Sequence, residues 1–94
     1  MKLVWTRLAL VDLGQAYDYI SAENPLAAST VIKRIEAATK ALGAFPEIGR
    51  PGRVEGTREL VVSGTPFILP YRVFKNRIEI LAVIHAARRW PEGF

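Results

Sequence analysis

The sequence predicts a two-layer α+β fold, an N-terminal helical hairpin packed on a small antiparallel β-sheet in the order β-α-α-β-β-β. Two apolar stripes at helical spacing occupy the first half of the 94 residues. Three β-prone apolar runs separated by turn signals occupy the second half. The Pro- and Gly-rich stretch from Phe45 to Arg53 joins the halves. It reads as a loop inside one domain, residues 1–94, because the strands after it need a cover for their apolar face.

The elements follow in order. Lys2 to Thr6 is a short strand, with Val4 and Trp5 as strong strand formers. Thr6 then caps a helix whose stripe is Leu10, Leu13, Ala16, Tyr17 and Ile20, with Asp12 and Asp18 off the stripe. Ser21 to Asn24 is a break. Asn24 is the next N-cap and Pro25 the first helical residue. The second helix aligns Ala28, Val31, Ile32, Ile35, Ala38 and Leu42, and Gly43 is its expected stop. Arg58 to Val62 is a strand, Ser63 to Pro66 a turn, Phe67 to Phe74 a strand, and Lys75-Asn76-Arg77 a hairpin turn. The last strand is Ile78 to His85. One face carries Ile78, Ile80, Ala82 and Ile84; the other carries Leu81 and Val83, with Glu79 and His85 at its ends. A strand apolar on both faces is expected to be central. Pro70 either interrupts the hydrogen bonding of the middle strand or marks a bulge.

Composition excludes several classes. Half the residues are apolar, but no run approaches the roughly 20 apolar residues of a membrane span. Arg7 and Asp12 interrupt the N-terminal apolar run, so no signal-peptide core is present. With no cysteine and one histidine, neither a disulfide framework nor a zinc site is expected. The expected location is the cytoplasm. The net charge of +4 is uneven: residues 1–49 carry five basic and five acidic groups, and residues 50–94 carry eight and four. Seven of those eight cations are arginine. Arginine favours bidentate contact with carboxylate or phosphate, so an anionic partner competes with a plain reading of solubility and local ion pairs.

The only histidine, His85, sits where the last strand surfaces and is followed by Arg88, Arg89 and Trp90. It suits a general acid or base, or equally a structural role at a strand end. Arg58 and Arg72 are the other candidate groups. In an antiparallel meander, however, Arg72 lies toward the hairpin turn and His85 at the opposite end of its strand, which works against a compact His–Arg cluster. The plain reading of each arginine is an ion pair, for example Arg58 with Glu79 or Glu55. Trp90 and Arg are the usual anchors of protein interfaces; the competing reading has Trp90 folding back to seal the sheet. Gly49-Arg50-Pro51-Gly52 lacks the spacing of a phosphate loop, and neither helix has a basic face suited to a DNA groove.

The order of these pieces resembles the RelE/ParE superfamily of bacterial type II toxin–antitoxin toxins. The resemblance rests on Ala9 to Ile20 with Asn24-Pro25-Leu26-Ala27-Ala28, on Pro46 to Gly52, and on Gly56 to Val62. Pro70-Tyr71-Arg72-Val73 and Ile80 to Pro91 complete it. It implies a helical hairpin on a sheet in which the first strand joins the later three. RelE-like members cleave mRNA on the ribosome; ParE-like members poison DNA gyrase. Several ribonuclease members carry an arginine near the equivalent of Phe67-Ile68, positions that are apolar here, and no tyrosine lies in the C-terminal tail. The Gly56–Val62 run and the His85–Pro91 ending look more like ParE.

The resemblance therefore implies a ParE-like toxin, a plasmid-stabilising or growth-arresting factor that inhibits gyrase by binding, without a catalytic residue, cofactor or metal. His85, Arg88, Arg89 and Trp90 are the expected target contacts. The alternative is a RelE-like endoribonuclease using His85, Arg58 and Arg72. Either reading implies a ParD-like antitoxin whose acidic segment pairs with Arg50, Arg53 and Arg58. DNA is then expected to be bound only through the toxin–antitoxin complex.

Overall fold

The computed structural model describes residues 1–94. Its elements are β1 (Lys2–Trp5), α1 (Arg7–Ser21), α2 (Pro25–Ala44), β2 (Arg50–Pro51), β3 (Arg58–Val61), β4 (Phe67–Phe74), β5 (Arg77–Ile80) and β6 (Ile84–His85). Both helix starts form as their caps dictate. Thr6 Oγ1 accepts from the Ala9 N–H at 3.2 Å, and Asn24 Oδ1 from the Ala27 N–H at 3.1 Å. Helix α2 passes Gly43 and ends on Phe45, whose N–H caps the Ala41 carbonyl. The expected loop from Phe45 to Arg53 contains β2, which pairs with β3. No helix is long and apolar enough to cross a membrane.

The sheet order is β1-β5-β4-β3-β2, with β6 also on β4. All pairings are antiparallel except β1 with β5, which is parallel, so the sheet is mixed. The helices cover one face, giving the expected two-layer α+β architecture. The core joins Ile35 and Leu42 of α2 and Ala9 of α1 to Leu60, Leu69, Tyr71, Ile78 and Ile80 of the sheet. On α1 the packed residues are Ala9, Leu13, Ala16 and Ile20, whereas Leu10 and Tyr17 of the expected stripe face outward. The stripe is displaced because the hairpin turns the smaller Ala9 onto the sheet. Thr39 is buried among the apolar residues of α2 and satisfies its hydroxyl on the Glu36 carbonyl.

The expected last strand from Ile78 to His85 is two strands. Tyr71 pairs with Ile80 and Ile68 with Ile84, so Leu69 and Pro70 of β4 face three residues, Leu81 to Val83. One extra residue opposite two is a β-bulge. Pro70 brings no N–H to the ladder; its carbonyl accepts from the Leu81 N–H at 2.8 Å. β5 is internal, between β1 and β4, with Ile78 and Ile80 on its core face and Arg77 and Glu79 on the outer one; β6 has β4 alone as a neighbour.

Tyr71 ties the loop before β2 to the core. Its ring is fully buried. Its hydroxyl donates to the Pro46 carbonyl at 2.7 Å and accepts from the Gly49 N–H at 2.9 Å. Burial pushes the Tyr71 hydroxyl above its ordinary pKa, partly offset by the Gly49 hydrogen bond. A Cβ on Gly49 would lie about 2.5 Å from the Tyr71 ring, so only glycine fits there.

Tyr71→Phe leaves the Gly49 N–H and the Pro46 carbonyl unpaired and is expected to cost about 1–3 kcal/mol. Because the folded pKa is raised, the stability given by the hydroxyl is complete below pH 10.0 and declines as pH rises through the folded value. Chemical denaturation of both proteins from neutral to alkaline pH measures this; a gap that widens above pH 10.0 would contradict it.

Candidate functional site

The bulge decides which face of the sheet receives His85. In an uninterrupted strand, Ile78, Ile80, Ala82 and Ile84 would share a face and His85 would point away from it. The extra residue reverses the alternation. Val83 joins the helix-side core, and His85 pairs with Phe67 on that same side. The two rings meet edge to face at 5.6 Å between centroids. Glu79, before the bulge, stays on the outer face with Arg72 and Arg77.

On the helix side His85 borders a groove of about 500 Å3 between β6, α1 and the tail. Helix α1 contributes Leu8, Asp12, Gln15 and Tyr19; the tail contributes Arg88 and Arg89. Asp12 Oδ2 accepts from the Val83 N–H at 3.0 Å, satisfying a donor that the bulge leaves without a strand partner. Thr6 Oγ1 donates to the Leu81 carbonyl at 3.3 Å, so the start of α1 holds both sides of the bulge. His85 Nδ1 accepts from the Ala87 N–H at 3.1 Å; in the neutral ring the proton is therefore on Nε2. The Ala86 N–H donates to Pro66 and the Arg88 N–H to the His85 carbonyl, which turns the tail back toward α1. Arg88 then lies 5.5 Å from the Tyr19 ring centroid. Arginines, a histidine and a tyrosine around an apolar floor make a contact surface for a partner that brings both anionic and apolar groups.

The structure thus brings His85, Arg88 and Arg89 together and separates them from the other expected residues. Trp90 turns to the outer face, where the Arg53 guanidinium stacks 3.8 Å from its ring centroid. Its indole Nε1 is buried without a hydrogen-bond partner. Arg50 and Arg53 converge on Glu59, a carboxylate only 3% exposed. Arg50 Nε donates to Glu59 Oε1 at 3.1 Å, and the Arg53 N–H to Oε2 at 2.8 Å. Arg58 meets neither Glu79 nor Glu55; it donates to the carbonyls of Gly49, at 2.8 Å, and Glu47.

Arg72 is bound to Glu79, whose other oxygen takes Arg77 at 2.8 Å. The Arg72 hydrogen bond, opposed by burial and assisted by Arg77, holds the Glu79 carboxyl below its ordinary pKa. Arg72 lies in β4 itself and His85 pairs with Phe67 of β4, five residues or roughly 16 Å away along the strand.

Asp12 and Tyr19 belong to the groove yet were not among the expected site residues. The available signal was a second stripe on the first helix, Leu8, Asp12, Gln15 and Tyr19, at helical spacing. Nothing local indicates that Asp12 faces a backbone N–H 71 residues away.

Comparison with known proteins bears on this arrangement. A family model, that of the ParE toxin of type II toxin–antitoxin system, parDE, matches residues 3–90. Y4kP of Sinorhizobium fredii is 44% identical over 91 residues, covering 97% of this chain and 94% of that protein. Toxin RelE2 of Caulobacter vibrioides is 39% identical over 87 residues, covering 93% and 97%. The solved chromosomal ParDE system of P. aeruginosa contains a chain with a TM-score of 0.80 and 36% identity, covering 90% of this chain and 95% of that one.

The dependence of the groove on Asp12 is measurable. Asp12→Ala leaves the Val83 N–H unpaired and is expected to cost about 1–3 kcal/mol. Hydrogen exchange should quicken most at Val83 and across β6. Unchanged protection there, with an unchanged melting temperature, would show that the carboxylate does not hold the bulge.

Proposed function

The chain belongs to the ParE/RelE family of type II toxin–antitoxin toxins, and we propose that it is a ParE-like toxin that inhibits DNA gyrase by direct binding and is neutralised by a ParD-like antitoxin. The observation that carries this reading is the grouping of His85, Arg88 and Arg89 around one groove, apart from the second-half carboxylates Glu59 and Glu79. Arg88 and Arg89 make no ion pair, so their charge is available to a target. Trp90, the fourth proposed contact, rests on the Arg53 stack with its Nε1 donor unused. A partner that drew the tail away would pair that donor at little cost to the fold. Arg50, Arg53 and Arg58 remain the proposed antitoxin contacts; about half of the Arg50 and Arg53 side-chain surface is open to solvent.

One observation favours a second reading. A relative with 39% identity is named Toxin RelE2, so ribosome-dependent mRNA cleavage is the alternative. It would need His85, Arg58 and Arg72 to act together. The distance along β4, the Glu79 carboxylate on Arg72 and the loop carbonyls on Arg58 weigh against that.

In a supercoiling assay the purified chain is expected to inhibit gyrase. Arg88→Glu with Arg89→Glu should abolish inhibition and growth arrest while leaving the melting temperature within about 2 °C, since both side chains are exposed. Unimpaired supercoiling together with mRNA cuts in a toeprinting assay, lost in His85→Ala, would replace the gyrase reading with the ribonuclease one.

A further inference from the structure

The basic excess of the second half leaves one patch that the groove does not use. It lies on the outer face, at the hairpin between β4 and β5. There the register builds a row across three strands: Phe74 stands opposite Arg77, and Arg77 beside Lys2. The row spans two strand spacings, roughly 10 Å. The next row sets Arg72 opposite Glu79. These side chains share the outer face, because their neighbours Leu3, Tyr71 and Ile78 pack into the helix-side core. Lys75 follows at the tip of the hairpin. Four cations thus face one carboxylate, an excess of three positive charges.

The two arginines are held in place. Glu79, with 10% of its side chain exposed, takes Nε of Arg72 on one oxygen. Its other oxygen takes Nε and Nη2 of Arg77, at 2.9 and 2.8 Å. Both Nη atoms of Arg72 and Nη1 of Arg77 are left without a protein acceptor, and the two side chains stay 44% and 41% exposed. A guanidinium fixed before binding meets less ordering cost when it takes up an anion. Phe74 is itself 41% exposed. Arg72, Lys75 and Arg77 place their charged groups 4.7, 5.3 and 5.9 Å from its ring centroid. Lys75 and Asn76 form the hairpin turn with φ of 50° and 59°. Asparagine or glycine takes that conformation readily, whereas lysine takes it at a cost, so the tip bears strain while carrying a cation.

We infer that this patch binds single-stranded nucleic acid, with phosphates on Lys2, Lys75 and the outward N–H groups of Arg72 and Arg77, and a base stacked on Phe74. A flexible strand offers a phosphate and a flat ring in every nucleotide, which matches cations set around an exposed aromatic side chain. A duplex keeps its base faces covered, and the carboxylates of an acidic peptide bring no ring for Phe74. The contact is the chain's own and needs neither gyrase nor antitoxin, in contrast to the expectation that DNA is met only through the toxin–antitoxin complex.

Fluorescence anisotropy of the full chain with a labelled oligothymidine of about 12 nucleotides tests it. With about three phosphates neutralised, log K should fall against log salt with a slope of about −2. Lys75→Asn should weaken binding severalfold and make the slope shallower by about 0.7. It should not lower the melting temperature, because it removes a cation that makes no ion pair and relieves the turn. Phe74→Leu should weaken binding about tenfold at an unchanged slope, and Phe74→Tyr should restore it. A duplex of the same length should lose nothing in Phe74→Leu; equal losses for strand and duplex would show that the ring stacks no base and would overturn the inference. Absence of binding at low salt, or equal affinity of the wild type, Lys75→Asn and Phe74→Leu, would also overturn it. Poly-L-glutamate held as tightly as the oligonucleotide would assign the patch to acidic peptide, against the inference. Arg88→Gln with Arg89→Gln, at the other end of β4, should leave oligonucleotide affinity within about twofold. Loss there with retention in Lys75→Asn would move the site to the groove, and the inference falls.

Discussion

Pro70 occupies the middle of the central strand without an N–H to offer, and the paired strand must make room for that gap. It does so by inserting one residue between Ile80 and Ile84. That insertion alone reverses the facing of everything after it. Val83 turns into the core, His85 turns onto Phe67, and the tail emerges beside α1. The donor at Val83, left without a strand partner, is then met by Asp12, the one acidic residue of α1 that faces the sheet end. The groove exists because a proline, a bulge and a helical aspartate agree on one geometry. A regular strand would have placed His85 on the outer face near Arg53 and Trp90, with no floor from the helix.

The second organising feature is the handling of charge on the outer face. Two carboxylates there are nearly buried, Glu59 and Glu79, and each is held by two arginines. Burying one charge partner is tolerable only when its oxygens are satisfied, and here both oxygens of each carboxylate have donors. This arrangement absorbs Arg50, Arg53, Arg72 and Arg77 into the structure of the sheet and its loop. The basic excess of the second half is thereby sorted. Some arginines shape the fold, whereas Arg88, Arg89 and Lys75 make no ion pair within it.

Much of the fold was legible because its signals are local. Thr6 and Asn24-Pro25 announce helix starts through short-range capping, and β4 runs over the residues its alternation and flanking turns define. What was not legible depends on distant partners. The packing face of α1 is not fixed locally, because Ala9 and Leu10 are both apolar and only the sheet decides which is covered. The final strand read as continuous because Leu81 to Val83 are as apolar as their neighbours; the signal for the break lay in Pro70, on another strand. The site shows the same division. His85, Arg88 and Arg89 were visible as the lone histidine and a basic pair. Asp12 and Tyr19 were hidden, since their roles depend on residues far along the chain. The ion pair expected for Arg58 failed because the nearby loop carbonyls of Glu47 and Gly49 claim it first.

The groove and the hairpin tip lie at opposite ends of β4, whose eight residues span roughly 26 Å of a molecule 39 Å long. This separation constrains how one partner could control the other surface. A segment seated only at the hairpin tip leaves His85, Arg88 and Arg89 open, so occupancy there cannot block the groove by contact alone. Reaching both ends requires about eight extended residues or a helix of about 17. Arg50 and Arg53 lie on the outer face with Glu59, whereas Arg58, in register with the buried Tyr71, lies on the helix side; the Arg53–Trp90 stack joins the outer face to the tail. An acidic segment passing along that face would compete with Trp90 for Arg53 and so reach the tail without entering the groove. Any single chain segment touching both ends has to be long and extended, because its contacts are spread along the strand.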